Sequence, residues 1–471
     1  MLVESFSGIR GIADEDLTEV LITQYTLSYS SFLKKTNPNP LIVLGMDTRP
    51  SSMRIKETMK EIFLKNGVDV IDVELSPTPA IQHGVRSFKA DGGVIITGSH
   101  NEPEHNGWKF LRASGSVLGV DESKIVIDLS KTVKEIASTK VGTTTNKRDE
   151  LLESYIDFVF ELVGADNISA IQKSGFTIVA DPNGGTGATV IKQICEKLNV
   201  KLIAKNMELG VFNRLVEPNA KSLAYLDADI EQSGANLAVG WDCDADRVEL
   251  MIPPNSDFVK ERGQMVSGQY LLAMLVDLVL SKYEGQNKIV VVNDVTSDVV
   301  REIAEKHDSK IVEVEVGEVN VVDKMEELNA PIGGEGSSSG PIIPPSKCRD
   351  GIMSTVMLLG LMAKEGKGIA EILTDYPEYY TPRIAARCLP EKAISVRMKL
   401  MEYWKNSEDV DSIRTTGDET GGLKIIMKNS GWIWYRASKT EAGVFRIITD
   451  AKSENHADEL LKIGKVAFDK C

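Results

Sequence analysis

Three aspartates at alternate positions, Asp242, Asp244 and Asp246, are the first candidates for chemistry. They directly follow the apolar run 236–241, so they stand at the end of a predicted buried strand. Carboxylates this close together repel one another unless a cation lies between them, and Mg²⁺ prefers such oxygen ligands. A calcium loop of the EF-hand type needs a glutamate at its twelfth position, where this chain has Pro253. The pattern therefore predicts a magnesium site rather than a solvated acidic turn.

A serine in a glycine-flanked loop is the second candidate. The apolar run 92–96 ends in the sequence TGSHN, which contains Ser99 and His100, and Lys109 follows ten residues after the serine. Glycine, serine, asparagine and proline are ordinary turn formers, so the loop taken alone favours a plain turn. Its importance depends on the rest of the chain.

The stretch GGEGSSSG at 333–340 has two competing interpretations. Its last five residues fit G-x-S-x-G, the nucleophile elbow of serine hydrolases, with Ser338 as the nucleophile. A hydrolase also needs a histidine further along the chain, and His456, in a predicted amphipathic helix with a solvent-facing side chain, is the only one. The favoured interpretation is a carbohydrate clamp, in which Glu335 and a neighbouring serine, Ser337 or Ser339, bind vicinal sugar hydroxyls.

The stretch RASKTEAGVFR at 436–446 has the composition of a phosphate-binding loop. Guanidinium groups, hydroxyls and backbone N–H groups are what a phosphate dianion needs, although a plain basic turn is nearly as good an interpretation. The candidate phosphate ligands are Arg436, Ser438, Lys439, Thr440 and Arg446.

An internal repeat in the sequence indicates where these loops lie in the predicted fold. The segments 41–52, 176–187 and 288–298 are β-branched runs that each reach an aspartate, Asp47, Asp181 or Asp294. Each run is followed by a helix-like pattern and a second strand, which predicts three β-α-β units with parallel strands. A third strand in each copy leads into one of the three polar loops. Because ligands bind at the carboxyl ends of parallel strands, three related domains would offer their loops to a common cleft.

The domain organisation follows from this spacing. We predict three related mixed-sheet α/β domains around a central cleft and a smaller, strand-rich α+β domain at the C-terminus. The predicted boundaries are 1–148, 149–253, 254–370 and 371–471.

Composition limits the partners and the location. The net charge of −15 argues against nucleic acid and anionic membranes, so an anionic substrate would need a local basic site. The five cysteines are widely spaced and lack a C-x-x-C pattern, which favours a reduced cytoplasm. No signal peptide is predicted, and the apolar run 270–280 is too short to cross a bilayer and reads as a buried helix.

The four loops, in this order and spacing, resemble those of the α-D-phosphohexomutase family over essentially the whole chain. TGSHNEP resembles its phosphoserine loop, DCDADR its Mg²⁺ loop, GEGSSSG its sugar loop and RASKTEAG its phosphate loop. The sequences GIRG at 8–11, DTR at 47–49 and NGWK at 106–109 also match the family.

The resemblance implies a role for each candidate. Ser99 would carry the phosphoryl group and, with the three aspartates, bind one Mg²⁺ per chain. Lys109, Arg247 and Arg10 would stabilise the charge on the transferring group. The implied reaction interconverts hexose 1- and 6-phosphates through a hexose 1,6-bisphosphate, with glucose and mannose as the expected sugars. Phosphoglucosamine mutase is the alternative inside the family, a non-catalytic sugar-phosphate-binding protein is the alternative outside enzymes, and the oligomeric state stays open.

The chain departs from the family pattern in three places. Pro341 follows the sugar loop where bacterial members commonly have a histidine, so any proton role of that residue must pass to His100, Lys109 or another group. The sugar loop is two residues longer, which leaves open whether Ser337 or Ser339 matches the family serine. Lys439 and Ala442 stand where the family has glycine and proline.

Overall fold

The computed structural model describes residues 2–133, 140–254, 256–336, 340–439 and 443–471. The chain divides into two compact units, one of Met1–Gly268 with Ser339–Leu373 and one of Gln269–Ser338 with Thr374–Cys471. Within the described residues the strands form four sheets. The four domain boundaries given above stay predictions.

The first sheet has seven strands in the order β1-β2-β6-β5-β3-β4-β7. Its strands are Val3–Ser5 (β1), Gly8–Ile12 (β2), Leu41–Met46 (β3), Asp69–Leu75 (β4), Gly92–Ile96 (β5), His105–Arg112 (β6) and Thr144–Asn146 (β7). The helices of this part of the chain are Glu19–Lys34 (α1), Ser52–Lys65 (α2), Thr78–Ser87 (α3), Val120–Ser130 (α4), Arg148–Val163 (α5) and Ala165–Ser174 (α6). Its core contains Tyr25, Tyr29, Phe63 and Trp108.

The second sheet has five strands in the order β12-β11-β10-β8-β9. Its strands are Thr177–Asp181 (β8), Lys201–Ala204 (β9), Leu237–Trp241 (β10), Val248–Met251 (β11) and Met265–Val266 (β12). The accompanying helices are Ile191–Lys197 (α7), Ala220–Leu223 (α8), Leu226–Ser233 (α9) and Asp257–Arg262 (α10).

The third sheet places its first strand between the other two strands of the repeat. These strands are Ile289–Asn293 (β13), Lys310–Val314 (β14) and Ile332–Glu335 (β15), and the helices are Gly268–Leu280 (α11), Asp298–Lys306 (α12) and Glu318–Leu328 (α13). The chain then continues in the first unit with Gly340–Ile342 (β16), Gly351–Glu365 (α14) and Ile369–Leu373 (α15). There α14 packs against α5 and α6.

The topology confirms the predicted repeat. In each copy the first strand (β3, β8 or β13) is parallel to the second (β4, β9 or β14) and to the third (β5, β10 or β15). The antiparallel strands β6 and β11 make the first two sheets mixed. The three polar loops therefore follow equivalent strands at carboxyl ends, where α/β proteins place their ligands.

The fourth sheet is antiparallel, in the order β17-β21-β20-β19-β18. Its strands are Arg383–Arg387 (β17), Val410–Thr415 (β18), Leu423–Met427 (β19), Trp432–Ala437 (β20) and Val444–Asp450 (β21). The helices Ala393–Lys405 (α16) and Glu454–Asp469 (α17) contribute Leu400, Trp404 and Leu460 to its core. This is the predicted α+β domain.

Two predicted elements of the second repeat are shorter than the pattern indicates. The predicted helix 188–200 begins only at Ile191, after a 3₁₀ turn at Thr186–Thr189, because β-branched threonines and glycines favour other conformations at its start. The predicted strand 200–209 ends at Ala204, and Asn206 then adopts a φ of +46°, which lies outside the extended region typical of strands.

The apolar run 270–280 forms the buried helix α11, as predicted. Its single charged residue, Asp277, accepts one hydrogen bond from the Tyr376 hydroxyl and lies 2.6 Å from His307 Nε2. Within the described part of the chain, no helix has the length and apolar character needed to span a membrane. All five cysteines lie in described residues and are free thiols.

Candidate active site

The serine loop leaves β5 in an unusual backbone conformation. Ser99 is buried and has a φ of +54°, in the left-handed region that non-glycine residues rarely adopt. Its N–H donates to Thr97 Oγ1 at 2.7 Å, and the guanidinium group of Arg49 donates to the carbonyl oxygens of Ser99 and Asn101 at 2.6 and 2.5 Å. Such conformations persist only where the surroundings fix them, and they cluster at functional sites.

The repeated aspartates hold these loops through arginine. Asp47, at the end of β3, pairs with Arg49 at 2.9 Å, and Arg49 holds the serine loop. Asp181, at the end of β8, pairs with Arg214 at 2.6 Å, and Arg214 donates to the carbonyl oxygen of Trp241 at 2.8 Å, directly before the metal loop. In both repeats the aspartate thus positions the functional loop rather than acting as a ligand itself.

The three aspartates of the metal loop converge as predicted. Asp242, Asp244 and Asp246 are fully buried, and their ligand atoms lie within 4.8 Å of one another. One oxygen of each has no hydrogen-bond partner among the described residues. Burial and the neighbouring carboxylates raise the pKa of Asp242 and of Asp244. Unsatisfied, mutually repelling oxygens are the donor set that a hard divalent cation requires, so these residues fit a metal ion.

The first domain supports this loop through α3. Thr78, at the start of that helix, donates from Oγ1 to Asp244 Oδ2 at 2.7 Å and from its N–H to the carbonyl oxygen of Asp244 at 2.9 Å. The positive end of the helix dipole also favours the carboxylate. Ala245 has a φ of +58°, so a second strained residue lies in the metal loop itself.

Cations surround the carboxylates. Lys109 Nζ lies 3.6 Å from Asp246 Oδ2 and 3.9 Å from Asp244 Oδ2, and Arg247 Nε lies 3.9 Å from Asp242 Oδ2 and 4.0 Å from Asp246 Oδ1. These distances are longer than those of tight ion pairs, and one oxygen of each carboxylate keeps no hydrogen-bond partner among the described residues. The structure therefore brings together the predicted lysine, arginine and aspartates.

Sequence reasoning missed Arg349, a further cation at this site. Its NH2 group lies 3.2 Å from Asp246 Oδ2, and the residue is 6% exposed. A Cβ on Gly340 would lie 2.8 Å from Arg349 Cβ, so the glycine leaves room for the arginine, and Gly351 N–H donates to the carbonyl oxygen of Ala245 at 3.2 Å. The local signal was an arginine before an apolar helix, and nothing in it pointed to an aspartate 103 residues away.

We expect Arg349→Met to lower kcat/KM by about 10- to 100-fold, the usual cost of losing a partner that orients a metal ligand. Arg349→Lys, which keeps the charge, should recover part of this loss. The affinity for Mn²⁺, measured by electron paramagnetic resonance, should change in the Met variant. Wild-type kinetics and wild-type Mn²⁺ affinity in Arg349→Met would show that the contact with Asp246 has no role.

His100 connects the serine to these cations. Its Nδ1 lies 3.4 Å from Ser99 Oγ. The charge of Arg247, together with burial and the charge of Arg10, lowers the pKa of His100 well below the ordinary histidine value. The imidazole is consequently neutral at neutral pH. The predicted catalytic side chains all belong to the first unit, where the charges of Arg10 and Arg247 act on His100.

The sugar loop is described in the second unit up to residue 336. Glu335 is buried, and its Oε1 accepts hydrogen bonds from Asn293 Nδ2 at 3.1 Å and from Gly317 N–H at 2.9 Å. These contacts fix the orientation of the carboxylate. A fixed carboxylate suits the predicted role as an acceptor for sugar hydroxyls.

The phosphate loop presents its arginines on one face. Arg436 and Arg446 are directly opposite each other on β20 and β21, so their side chains leave the same side of the sheet. Arg436 NH2 lies 3.2 Å from Glu315 Oε1, and Lys439 Nζ lies 2.5 Å from the same oxygen. Ser438 N–H donates to the carbonyl oxygen of Val444 at 2.8 Å. Two predicted phosphate ligands are thus paired with a carboxylate.

Part of the predicted site falls outside the residues that the structure describes, namely Ser337, Ser338, Ser339 and Thr440. The histidine required by the hydrolase interpretation, His456, is half-buried on α17, where its Nε2 lies 3.0 Å from the carbonyl oxygen of Ser430. That contact gives His456 a structural role in the fourth domain.

Three repeated α/β sheets, a buried serine in a strained loop and a cluster of three buried carboxylates define a multidomain α/β enzyme equipped for phosphoryl transfer. Comparison with known proteins agrees: residues 4–137, 153–254 and 267–380 match the models of phosphoglucomutase/phosphomannomutase α/β/α domains I, II and III. The chain belongs to the phosphoglucomutase/phosphomannomutase family of α-D-phosphohexomutases and is an intramolecular phosphotransferase.

Individual relatives match over nearly their whole length. A phosphoglucomutase/phosphomannomutase of Thermococcus kodakarensis is 32% identical, with 97% of this chain and 96% of the relative covered. A protein of Pyrococcus horikoshii named "Probable phosphoglucosamine mutase" is 30% identical over 97% and 95%. A phosphoglucomutase/phosphomannomutase family protein from Burkholderia thailandensis shares the fold, with a TM-score of 0.82, 18% identity and coverage of 99% and 97%.

Proposed function

We propose that the protein interconverts the 1- and 6-phosphates of glucose and of mannose through a phosphoserine at Ser99 and a hexose 1,6-bisphosphate. The observation that carries the proposal is the buried Ser99 in its strained loop, in contact with His100, whose pKa responds to the charges of Arg247 and Asp246 at the three-carboxylate site. The hydrolase interpretation concerns a different serine, Ser338, and the histidine it requires, His456, contacts the carbonyl oxygen of Ser430 instead. Family membership also favours the mutase over a non-catalytic binding protein.

The chemistry transfers one phosphoryl group in each direction. The bond between Ser99 Oγ and phosphorus breaks, a bond from phosphorus to a sugar hydroxyl oxygen forms, and the hydroxyl proton passes to Ser99 Oγ. His100 Nδ1, 3.4 Å from that oxygen, is within hydrogen-bonding reach, but its lowered pKa makes it a poor base, so Lys109 or another group would carry the proton. Lys109, Arg247 and Arg10 would stabilise the charge on the transferring group.

The metal site completes the proposal. Asp242, Asp244 and Asp246 would hold one Mg²⁺ together with an oxygen of phosphorylated Ser99. A bound Mg²⁺ neutralises charge on a transferring phosphoryl group without requiring a proton. The chain's own contribution is to keep the three carboxylates buried and oriented, through Thr78 and Arg349.

The bisphosphate has to bind in two orientations for the second transfer. We assign the sugar to Glu335 with Ser337 or Ser339, and the phosphate that is not reacting to Arg436, Ser438, Lys439, Thr440 and Arg446. The 3- and 4-hydroxyls look similar in both orientations, whereas the 2-position is then recognised loosely. Because glucose and mannose differ only at that position, both should be accepted.

Phosphoglucosamine mutase is the second candidate, and the similarity to the Pyrococcus horikoshii protein supports it. We expect comparable kcat/KM for glucose 1-phosphate and mannose 1-phosphate and a lower value for glucosamine 1-phosphate, because Glu335 is already committed to the hydroxyls. All three substrates should be assayed side by side on the purified protein. A tenfold preference for glucosamine 1-phosphate, on the order of 1.4 kcal/mol, would favour the rival activity.

Glu335→Gln tests the clamp. The change should lower kcat/KM with glucose 1-phosphate by about 10- to 100-fold, since a hydrogen bond to a charged acceptor contributes about 1.5 to 3 kcal/mol. Because the amide keeps an oxygen for Asn293 and Gly317, the fold should be retained, which circular dichroism would check. Unchanged kinetics would place the clamp on another loop.

A further inference from the structure

Glu315 lies between the two cations of the phosphate loop. It follows β14 directly, and its side chain is 13% exposed. Its Oε1 lies 3.2 Å from Arg436 NH2 and 2.5 Å from Lys439 Nζ. Arg436 is itself 7% exposed, and its Nε has no hydrogen-bond partner among the described residues. A single carboxylate oxygen thus lies within ion-pair distance of two groups that should bind a phosphate and, like Arg436 Nε, has no hydrogen-bond partner among the described residues.

The position of Glu315 is fixed by its neighbours. The next residue, Val316, packs against the buried cluster of Val295, Trp432 and Trp434. One residue further, the N–H of Gly317 donates to Glu335 in the sugar loop. The turn 315–317 therefore contacts the phosphate loop with one residue and the sugar loop with another.

We propose that Glu315 is an internal competitor for substrate phosphate, which pairs with Arg436 and Lys439 whenever no phosphate is bound there. This inference rests on the proposed phosphate-binding role of those two cations. A phosphate dianion offers more acceptor oxygens and more charge than one carboxylate, so it displaces Glu315 from the arginine fork.

The competitor has a function in the reaction cycle. The bisphosphate reverses its orientation in the site between the two transfers. One phosphate therefore leaves these cations before the other arrives. Leaving a buried cation unpaired is costly, and a carboxylate that returns to it lowers that cost. Glu315 therefore weakens phosphate binding and speeds phosphate release.

Calorimetric titration of the full chain with inorganic phosphate at constant ionic strength tests this. In Glu315→Gln we expect the Kd for phosphate to fall about tenfold, because the competing charge is gone while the amide preserves shape. In the same variant KM and kcat for glucose 1-phosphate should both fall, since release becomes slower. Glu315→Asp, which retains the charge, should stay near the wild-type Kd.

Two further variants separate the explanations. Glu313→Gln removes an equal charge two residues away, where the carboxylate pairs with Arg301, Arg414 and Lys424 instead, and it should leave the Kd near that of wild type. Arg436→Met should weaken phosphate binding, and if it does not, the proposed phosphate-binding role is wrong. Suppose that Arg436→Met weakens phosphate binding but Glu315→Gln binds phosphate no more tightly than the wild type and Glu313→Gln do. The phosphate-binding role of Arg436 would then stand, and the competitor role of Glu315 would be wrong.

Discussion

Ser99→Ala is expected to abolish nearly all mutase activity, with a fall in kcat/KM of about 10³-fold or more, as for the loss of other covalent nucleophiles. The hydroxyl oxygen is the atom that carries the phosphoryl group, and the loop offers no substitute at this position. The fold should survive, because the loop is held through the backbone atoms of Ser99, by Thr97 and Arg49. Kinetics with glucose 1-phosphate and thermal unfolding would measure both effects.

Phosphopeptide mapping gives an independent measure. The wild-type protein should carry phosphate on the peptide that contains Ser99, and the alanine variant should carry none. His456→Ala is a matched control that should remain active, because the described polar contacts of its side chain are with the carbonyl oxygen of Ser430 and with Glu459. An active Ser99→Ala enzyme, or an inactive His456→Ala enzyme that is labelled by a fluorophosphonate, would restore the hydrolase interpretation.

Replacing any one of Asp242, Asp244 and Asp246 by asparagine should weaken Mn²⁺ binding by at least about 100-fold, because the loss of a mere supporting partner already costs 10- to 100-fold. The three carboxylates are buried together, so the site depends on their charge and not only on their oxygens. Activity at fixed Mg²⁺ should fall in parallel. Mn²⁺ titration followed by electron paramagnetic resonance measures the affinity without reference to turnover.

The control for this experiment is Glu231→Gln, which removes an exposed acidic group from α9 in the same domain and should leave both measurements unchanged. Treatment of the wild-type enzyme with EDTA should stop turnover, and added Mg²⁺ should restore it. Full activity after exhaustive chelation would contradict the metal site, as would a triple asparagine variant with wild-type Mn²⁺ affinity.

Much of this architecture could be predicted because it depends on local patterns. The buried runs of β3, β8 and β13 each continue into a helix, and a parallel pair with a crossover follows from that order. The loops after β5, β10 and β15 then had to lie at carboxyl ends. Chemistry carried by neighbouring residues, such as the alternating aspartates, was equally visible in the sequence.

The contacts that support the site could not be predicted in the same way. Arg349 meets Asp246, and Glu315 meets Arg436, across more than a hundred residues of chain. A lone charged residue beside a helix or a strand most often faces solvent, so neither had a local pattern that set it apart. The strained φ of Ser99 was also hidden, because serine has little preference for that conformation.

The bond from Thr78 to Asp244 has a consequence for modular engineering. The serine and the hydroxyl that supports the metal loop belong to the first domain, whereas the carboxylates belong to the second. A chimera that combines the first domain of one family member with the second domain of another would have to keep a hydroxyl donor at position 78. Exchange of one domain without the other is therefore constrained by the side chain at position 78, at the start of α3.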